Sequence, residues 1–402
     1  MALTNLTRTA TADAYGSSLL RLSSRQNALV NMQENMTAGK RVVRASDDPA
    51  AAAQAERART RMARIDTDQR VLETQRNALT EAESTLGSAG TLMQRLRELV
   101  VKGGNTGLSA TDRQSVAQEM RSLRDQILAL ANTRDANGQP LFGGLGSAST
   151  PFVDAAGGVV YDALSGQAAA TTTTIPATLD GYSTWMNVPQ GNGVFTVAQA
   201  TGTSQVWSDA GRVTDPSALT GHNYSIAFTL TGGVTTYTVT DLTTSTAVVA
   251  GQPYTAGQDV TFDGMTLKLQ GTPANGDALT LGPAGTDSVF GVLDRAIAAV
   301  EAGGHAGGTI AHDVARSLTE VDAAMARVSS ARGQAGELLS RADIITDQQS
   351  GRKIQLEADR ARAEDLDMVK ALSDFNTQQT AYSVALQTYA QIQKLSLFNY
   401  IG

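Results

Sequence analysis

The chain predicts a mainly helical α+β fold: a long antiparallel coiled coil and helical bundle built from the N- and C-terminal segments, with a small antiparallel β domain inserted between them. Three observations predict it. Apolar residues recur every seven positions near both termini. The same repeat runs without a miss from Ile65 to Val100. Between about residues 146 and 285 the composition changes to Thr, Gly, Ala and Val with few Lys or Arg.

The terminal repeats match one another. Tyr15, Leu22, Leu29 and Met36 stand seven apart, with Leu19, Gln26 and Gln33 four residues after the first three. Met368, Phe375, Tyr382 and Tyr389 repeat likewise, followed at the same offset by Leu372, Gln379, Leu386 and Gln393. Apolar a and d positions form a narrow seam that supercoils with a partner helix. A Gln inside each seam is tolerated where it meets another polar group. The termini therefore read as partners of each other or of neighbouring copies; the competing reading is two unrelated amphipathic helices on separate cores. From Ala371 to the end the only charged side chains are Asp374 and Lys394. A long helix with so few ion pairs is marginal alone and gains order by packing.

Further in, Thr37-Ala38-Gly39-Lys40 breaks the first helix, and Ser46-Asp47-Asp48-Pro49 opens the next with a side-chain cap and a first-turn proline. Ile65, Leu72, Leu79, Leu86, Met93 and Val100 then mark one long buried stripe that ends at Gly103-Gly104-Asn105. Ser109 with Asp112 has the form of a capping box, and Val116, Met120, Leu123, Ile127 and Leu130 make the next stripe. Two such helices need a third, which Val314, Leu318, Val321, Met325, Val328, Ala335 and Leu339 supply. In the insert, Tyr224, Ile226, Phe228 and Leu230 alternate as a half-buried strand turning at Gly232-Gly233, and Asp263-Gly264 is a hairpin turn between Val260-Phe262 and Met265-Leu269. Tyr224, Phe228, Phe262 and Leu267 read as its core rather than a ligand site. The domains expected are a terminal coil (1–45 and 365–402), a helical bundle (46–145 and 286–364) and the β-rich insert (146–285).

A chain of 402 residues suits two or three domains. A net charge of −7 disfavours a general nucleic-acid binder, and no apolar run reaches the ~18 residues of a membrane span. The N-terminus lacks the basic start and apolar stretch of a cleaved signal peptide. Cysteine is absent, which neither proves nor excludes secretion. Lys40, Arg41, Arg44, Arg57, Arg59, Arg61 and Arg64 are interleaved with Asp47, Asp48 and Glu56 and lack aromatics, so they read as a solvated or intersubunit ionic face. Asp47 and Asp48 read as helix caps rather than an acid–base pair, since such a pair needs enclosure. His222, His305 and His312 have no third ligand at metal spacing. No catalytic residues, metal site or cofactor are expected.

Gly39-Lys40-Arg41-Val42, Ser46-Asp47-Asp48-Pro49-Ala50-Ala51 and Ala131-Asn132-Thr133-Arg134-Asp135-Ala136-Asn137-Gly138 resemble the signature of bacterial flagellins and their hook-associated relatives. Gly138-Gln139-Pro140-Leu141-Phe142-Gly143, Thr150-Pro151-Phe152-Val153 and Leu395-Ser396-Leu397-Phe398-Asn399-Tyr400-Ile401 narrow the resemblance to the hook–filament junction family. It covers both helical parts well and the insert loosely. The resemblance implies a non-enzymatic structural subunit of the extracellular flagellum, exported by the flagellar type III apparatus without a cleaved signal. It implies a ring of about eleven copies between the first hook–filament junction protein and flagellin. It also implies a cytoplasmic export chaperone, for which Leu372, Phe375, Leu386, Leu395 and Phe398 are the expected contacts, and a subunit-contacting loop at Ser46, Asp47 and Asp48. The assembly seam expected is Tyr15, Leu19, Leu22, Leu29, Met36, Met368, Leu372, Phe375, Tyr382, Leu386 and Tyr389. Alternatives are flagellin itself, or a secreted adhesin or binding module on a helical stalk.

Overall fold

The computed structural model describes residues 3–105, 107–146, 149–200, 205–302 and 307–401; the side chains of 3–15, 307–309 and 392–401 lie outside that description. In chain order come α1 (Leu3–Ala38), α2 (Pro49–Gly103) and α3 (Ala110–Ala131), then strands between Phe152 and Asp287, then α4 (Val289–Glu301), α5 (Gly307–Glu364) and α6 (Met368–Ile401). The chain forms two compact units, Met1–Gln69 with Thr346–Gly402, and Arg70–Ile345. Their boundaries fall inside α2 and α5 rather than at helix caps.

In the first unit α1 packs against α6. The start of α2 and the end of α5 bury Ala51, Ala55, Ala58, Ile65, Leu356 and Ala363, with Val42 from the preceding loop. Most of these side chains are alanines. They remove little apolar area from water, so this core is thin for its length.

Within the second unit, α2, α3, α4 and α5 share one continuous core, separate from that of the insert. Leu72, Leu79, Leu86, Met93 and Val100, the expected stripe of α2, are all buried there. Ser109 and Asp112 form the expected capping box, each side chain accepting from the other's backbone N–H. Arg95 reaches Glu119 of α3 at 2.9 Å and Arg97 reaches Asp322 of α5 at 2.6 Å, so α2 lies between those two helices. A fourth helix joins the expected three. In α4 Val289, Phe290, Val292, Leu293, Ala296, Ile297 and Val300 are all buried, and it packs on α3. From Val289 its buried residues recur at i, i+3, i+4, i+7, i+8 and i+11, the single face of an amphipathic helix, with Asp294, Arg295 and Glu301 on the other side, a stripe not singled out from the sequence above.

The insert is smaller than the composition change suggests. The hairpin β1 (Phe152–Ala155) and β2 (Gly158–Tyr161) pairs antiparallel. Phe152, Val159, Ile175, Leu179, Trp185 and Val188 belong to the helical core, which corrects the expected boundary at 146. Arg124 of α3 reinforces this by pairing with Asp154 of β1 and, at 3.1 Å, with Asp294 of α4. Polar, Gly-rich composition marked where strands begin, not where the core divides.

A two-stranded neck, β3 (Val188–Pro189) against β13 (Thr286–Asp287), leads to the insert. One sheet has the order β4-β12-β7-β8-β9, formed by Phe195–Gln199, Ala278–Pro283, Tyr224–Thr231, Val234–Asp241 and Thr246–Pro253. In the other, β11 (Met265–Gly271) pairs with β10 (Asp259–Phe262), β5 (Val206–Ser208) and β6 (Arg212–Val213). Tyr224, Phe228, Phe262 and Leu267 are buried in the core these sheets share. The Asp263-Gly264 turn has positive φ at both residues, +42° and +74°. A Cβ on Gly264 would stand 2.1 Å from the Asp215 carbonyl, so the turn needs its glycine.

Candidate assembly surface and the carboxylate hub

The loop that joins α1 to α2 is built by local rules. Gly39 adopts φ +66°, and the amides of Gly39 and Lys40 close α1 on the carbonyls of Met36 and Asn35. Asp47 accepts the amides of Val43 (3.1 Å) and Arg44 (2.8 Å). Asp48 accepts the Ala51 amide at 3.0 Å, capping α2 just before Pro49. That amide, with the Arg41 guanidinium at 3.1 Å, holds the Asp48 carboxyl below its ordinary range. Ser46 and Asp47 are exposed, and Asp48 is half-buried. This is capping geometry, with no enclosure that would serve proton transfer.

The loop is tied to the end of α5 by one residue that the sequence did not single out. The Glu364 side chain is only 4% exposed and pairs with Arg59, with Lys40 at 3.5 Å and with Arg360 at 2.7 Å. Its carbonyl accepts the Arg41 amide at 2.8 Å, and the Leu366 amide bonds back to Gly39. The end of α1 is thereby joined to the start of α6, and the two helices run antiparallel. Burial alone would raise the Glu364 carboxyl; the Arg59 hydrogen bond and the charges of Arg59, Lys40 and Arg360 bring it below the ordinary value instead.

Glu364→Gln is expected to lower stability by about 1–2 kcal/mol near neutral pH, discounted for cations that remain partly solvated. The depressed carboxyl contributes stability above its unfolded value of 4.5 that is lost as pH falls through the folded value. Variant and wild type should therefore converge in acid. Amide exchange at Arg41 and Val42 measures this, and equal protection in both proteins at neutral pH would refute the hub.

The terminal helices meet, but on a register shifted from the expected one. On α1, Leu22, Leu29 and Met36 are half-buried together with Ser18 and Met32; on α6, Phe375, Tyr382 and Tyr389 are half-buried together with Ala371, Gln378 and Ala385. The second series therefore stands three residues after the first, not four. Leu19 (54% exposed), Leu372 (51%), Leu386 (43%) and Met368 (48%) face outward, and Gln26, Gln33 and Gln379 are exposed. Both offsets flank the same stripe on a helix, so periodicity alone left the choice open. Leu20, Val30, Val369 and Val384 add to the exposed apolar surface. The side chains of Tyr15, Gln393, Leu395 and Phe398 lie outside the described residues.

The basic stretch divides in two. Lys40 and Arg59 serve Glu364, Arg41 serves Asp48, and Arg44 pairs with Glu34 at 2.6 Å. Arg57 and Arg61 line an open groove of about 580 Å³ with Arg41, Asp48, Asp359 and Arg362. Among the described residues no group of three or more His, Asp or Glu side chains is placed to hold a metal ion. None of the described helices is long and apolar enough to cross a membrane. His305 lies outside the described residues.

Residues 11–147 match the bacterial flagellin N-terminal helical region, and residues 318–401 match its C-terminal helical region. Residues 197–283 match the D2-like domain of flagellar hook-associated protein 1. The chain is 34% identical to flagellar hook-associated protein 3 of Salmonella typhimurium over 159 residues, 38% of this chain and 48% of that protein. The crystal structure of the flagellar junction protein FlgL from Legionella pneumophila superposes with a TM-score of 0.67 at 27% identity, over 72% of this chain and 99% of that one. This chain belongs to the flagellin superfamily, in the hook-associated protein 3 family. Xanthomonas campestris FlgL is similar, with TM-score 0.66 and 29% identity over 74% of this chain and 98% of that one. The chain spans about half the length of the curated relatives it matches.

Proposed function

We propose that this chain is a structural, non-enzymatic subunit of the bacterial flagellum. It forms an adaptor ring between the preceding hook-associated protein and flagellin, and on that ring the filament starts. One observation carries the reading: on flagellin-type ends, α1 and α6 cover one flank of each other and leave Leu19, Leu372 and Leu386 outward. With Leu20, Val30, Val369 and Val384 also exposed, these two helices carry apolar surface that functions when covered. Neighbouring copies and close relatives are the occupants, and the outward residues of the expected seam are the contacts between them. In this reading Ser46, Asp47 and Asp48 contact a neighbouring subunit, on a loop that Glu364 ties to the end of α5.

The insert's match to a domain of hook-associated protein 1 favours an adaptor over flagellin itself. Export through the flagellar type III apparatus, capture of the last helix by a cytoplasmic chaperone and a ring of about eleven copies belong to the same reading. Cells lacking the protein should leak flagellin into the medium, and immunogold label should fall at one point between hook and filament. Label spread along the filament would make the chain a flagellin. Label elsewhere on the cell, with normal filaments in the deletion strain, would favour the adhesin reading.

A further inference from the structure

His312 lies on the second turn of α5, where that helix meets the insert. It is buried, 4% exposed. With Arg316 and Thr319 it forms an i, i+4, i+7 stripe, and the stripe lines a small cavity of about 20 Å³ together with Thr196 and Val197 of β4, Ser208 of β5 and Asp209. β4 belongs to one sheet of the insert and β5 to the other, so a single helical residue spans the seam between them. The carbonyls of Val197 and Ser208 face the ring. Among the described residues neither ring nitrogen makes a hydrogen bond of good geometry.

We propose that His312 is a protonation-operated latch between α5 and the β insert, closed while the ring is neutral and opened when it is charged. The charged groups around it decide the direction. Asp209, from the loop after β5, already spends one carboxylate oxygen on the amides of Gly211 (3.1 Å) and Lys268 (2.9 Å). From α5, Arg316 opposes a charged ring and Asp313 favours it; β4 contributes no charged group to the cavity. Burial outweighs the favourable partners and holds the ring below its ordinary value of 6.5. A group depressed in this way binds fewer protons in the docked state than in the released one. Docking is therefore complete above about pH 6.5 and weakens from there down towards the depressed value. The neck of β3 and β13 keeps the released insert attached.

The test uses the full chain and amide exchange, corrected for intrinsic rates, in peptides covering residues 190–199 and 205–211, from about pH 7.5 to about pH 5. In the wild type, protection at these segments should fall by up to about tenfold per pH unit once below the ordinary histidine value. His312→Phe keeps the ring's bulk without a titrating group and should remove that dependence while α2 and α3 stay as protected as before. Should the phenylalanine disturb packing, His312→Gln, uncharged throughout the range, should give the same flat profile. A flat wild-type profile, or the same acid-induced loss in both variants as in the wild type, would overturn the latch. The failure of junction function in cells would not bear on it, because the readout is local docking in the isolated chain.

Discussion

The double variant Leu372→Asp with Leu386→Asp is expected to lose filament assembly and to bind the export chaperone weakly, while its β insert stays folded. Both leucines stand on the outer flank of α6, so little in the isolated chain depends on them. Surface substitutions of this kind change stability by no more than about 0.5 kcal/mol each. Once copies close over that flank, each aspartate becomes a carboxylate without a partner in an apolar contact, at a cost of about 3–5 kcal/mol. Repeated at both positions in every copy, that cost exceeds what a marginal interface supplies. Electron microscopy for filaments, flagellin in the medium, chaperone co-purification and a thermal melt of the insert read the four parts of the outcome. Normal filaments would refute the assignment of this flank.

The register separates the two flanks of α6. Tyr382 and Phe375 are half-buried on the flank that carries Ala371, Gln378 and Ala385, so they belong to the contact between α1 and α6. The sequence located the right helices and one of the two half-seams. It missed the other because Leu372 and Leu386 outrank Ala371 and Ala385 in hydrophobicity, whereas a helix pair closes most readily over small side chains. Leucines left outside such a contact are then free for a neighbour.

Other parts were legible for a physical reason that can be named. The stripe from Leu72 to Val100 is buried as expected because a repeat held over that distance fixes one face of one helix. The Asp263-Gly264 and Gly232-Gly233 turns were legible because positive φ restricts the residues allowed there. Glu364 was not legible. Its three cationic partners come from Lys40, Arg59 and Arg360, and only the fold brings the first two to the third. The aromatic cluster of the second unit was missed for the same reason, since Phe142, Phe152, Trp185 and Phe290 share no period and no neighbourhood in sequence.

That cluster carries the largest expected loss of stability. Trp185, fully buried on a short π-helical turn, stacks on Phe290 with centroids 6.0 Å apart and an interplanar angle of 18°. It meets Phe142 edge-on at 5.5 Å and Phe152 at 6.4 Å. The turn can pass there because residue 181 is glycine: a Cβ would stand 2.2 Å from the Phe142 carbonyl. Trp185→Ala removes the ring that joins α4, β1 and the loop after α3, and should cost about 3–5 kcal/mol. Among the described residues the indole N–H has no hydrogen-bond partner. Such an orphan donor costs about 1–3 kcal/mol, so Trp185→Phe recovers part of what the smaller ring gives up and should stay within about 1.5 kcal/mol of the wild type. Denaturant midpoints followed by circular dichroism at 222 nm separate the two variants. If Trp185→Ala and Trp185→Phe proved equally destabilising, volume would not be what the residue contributes, and the indole nitrogen would have to make a bond after all. If neither variant moved the midpoint, the cluster would not be holding the strands to the helices.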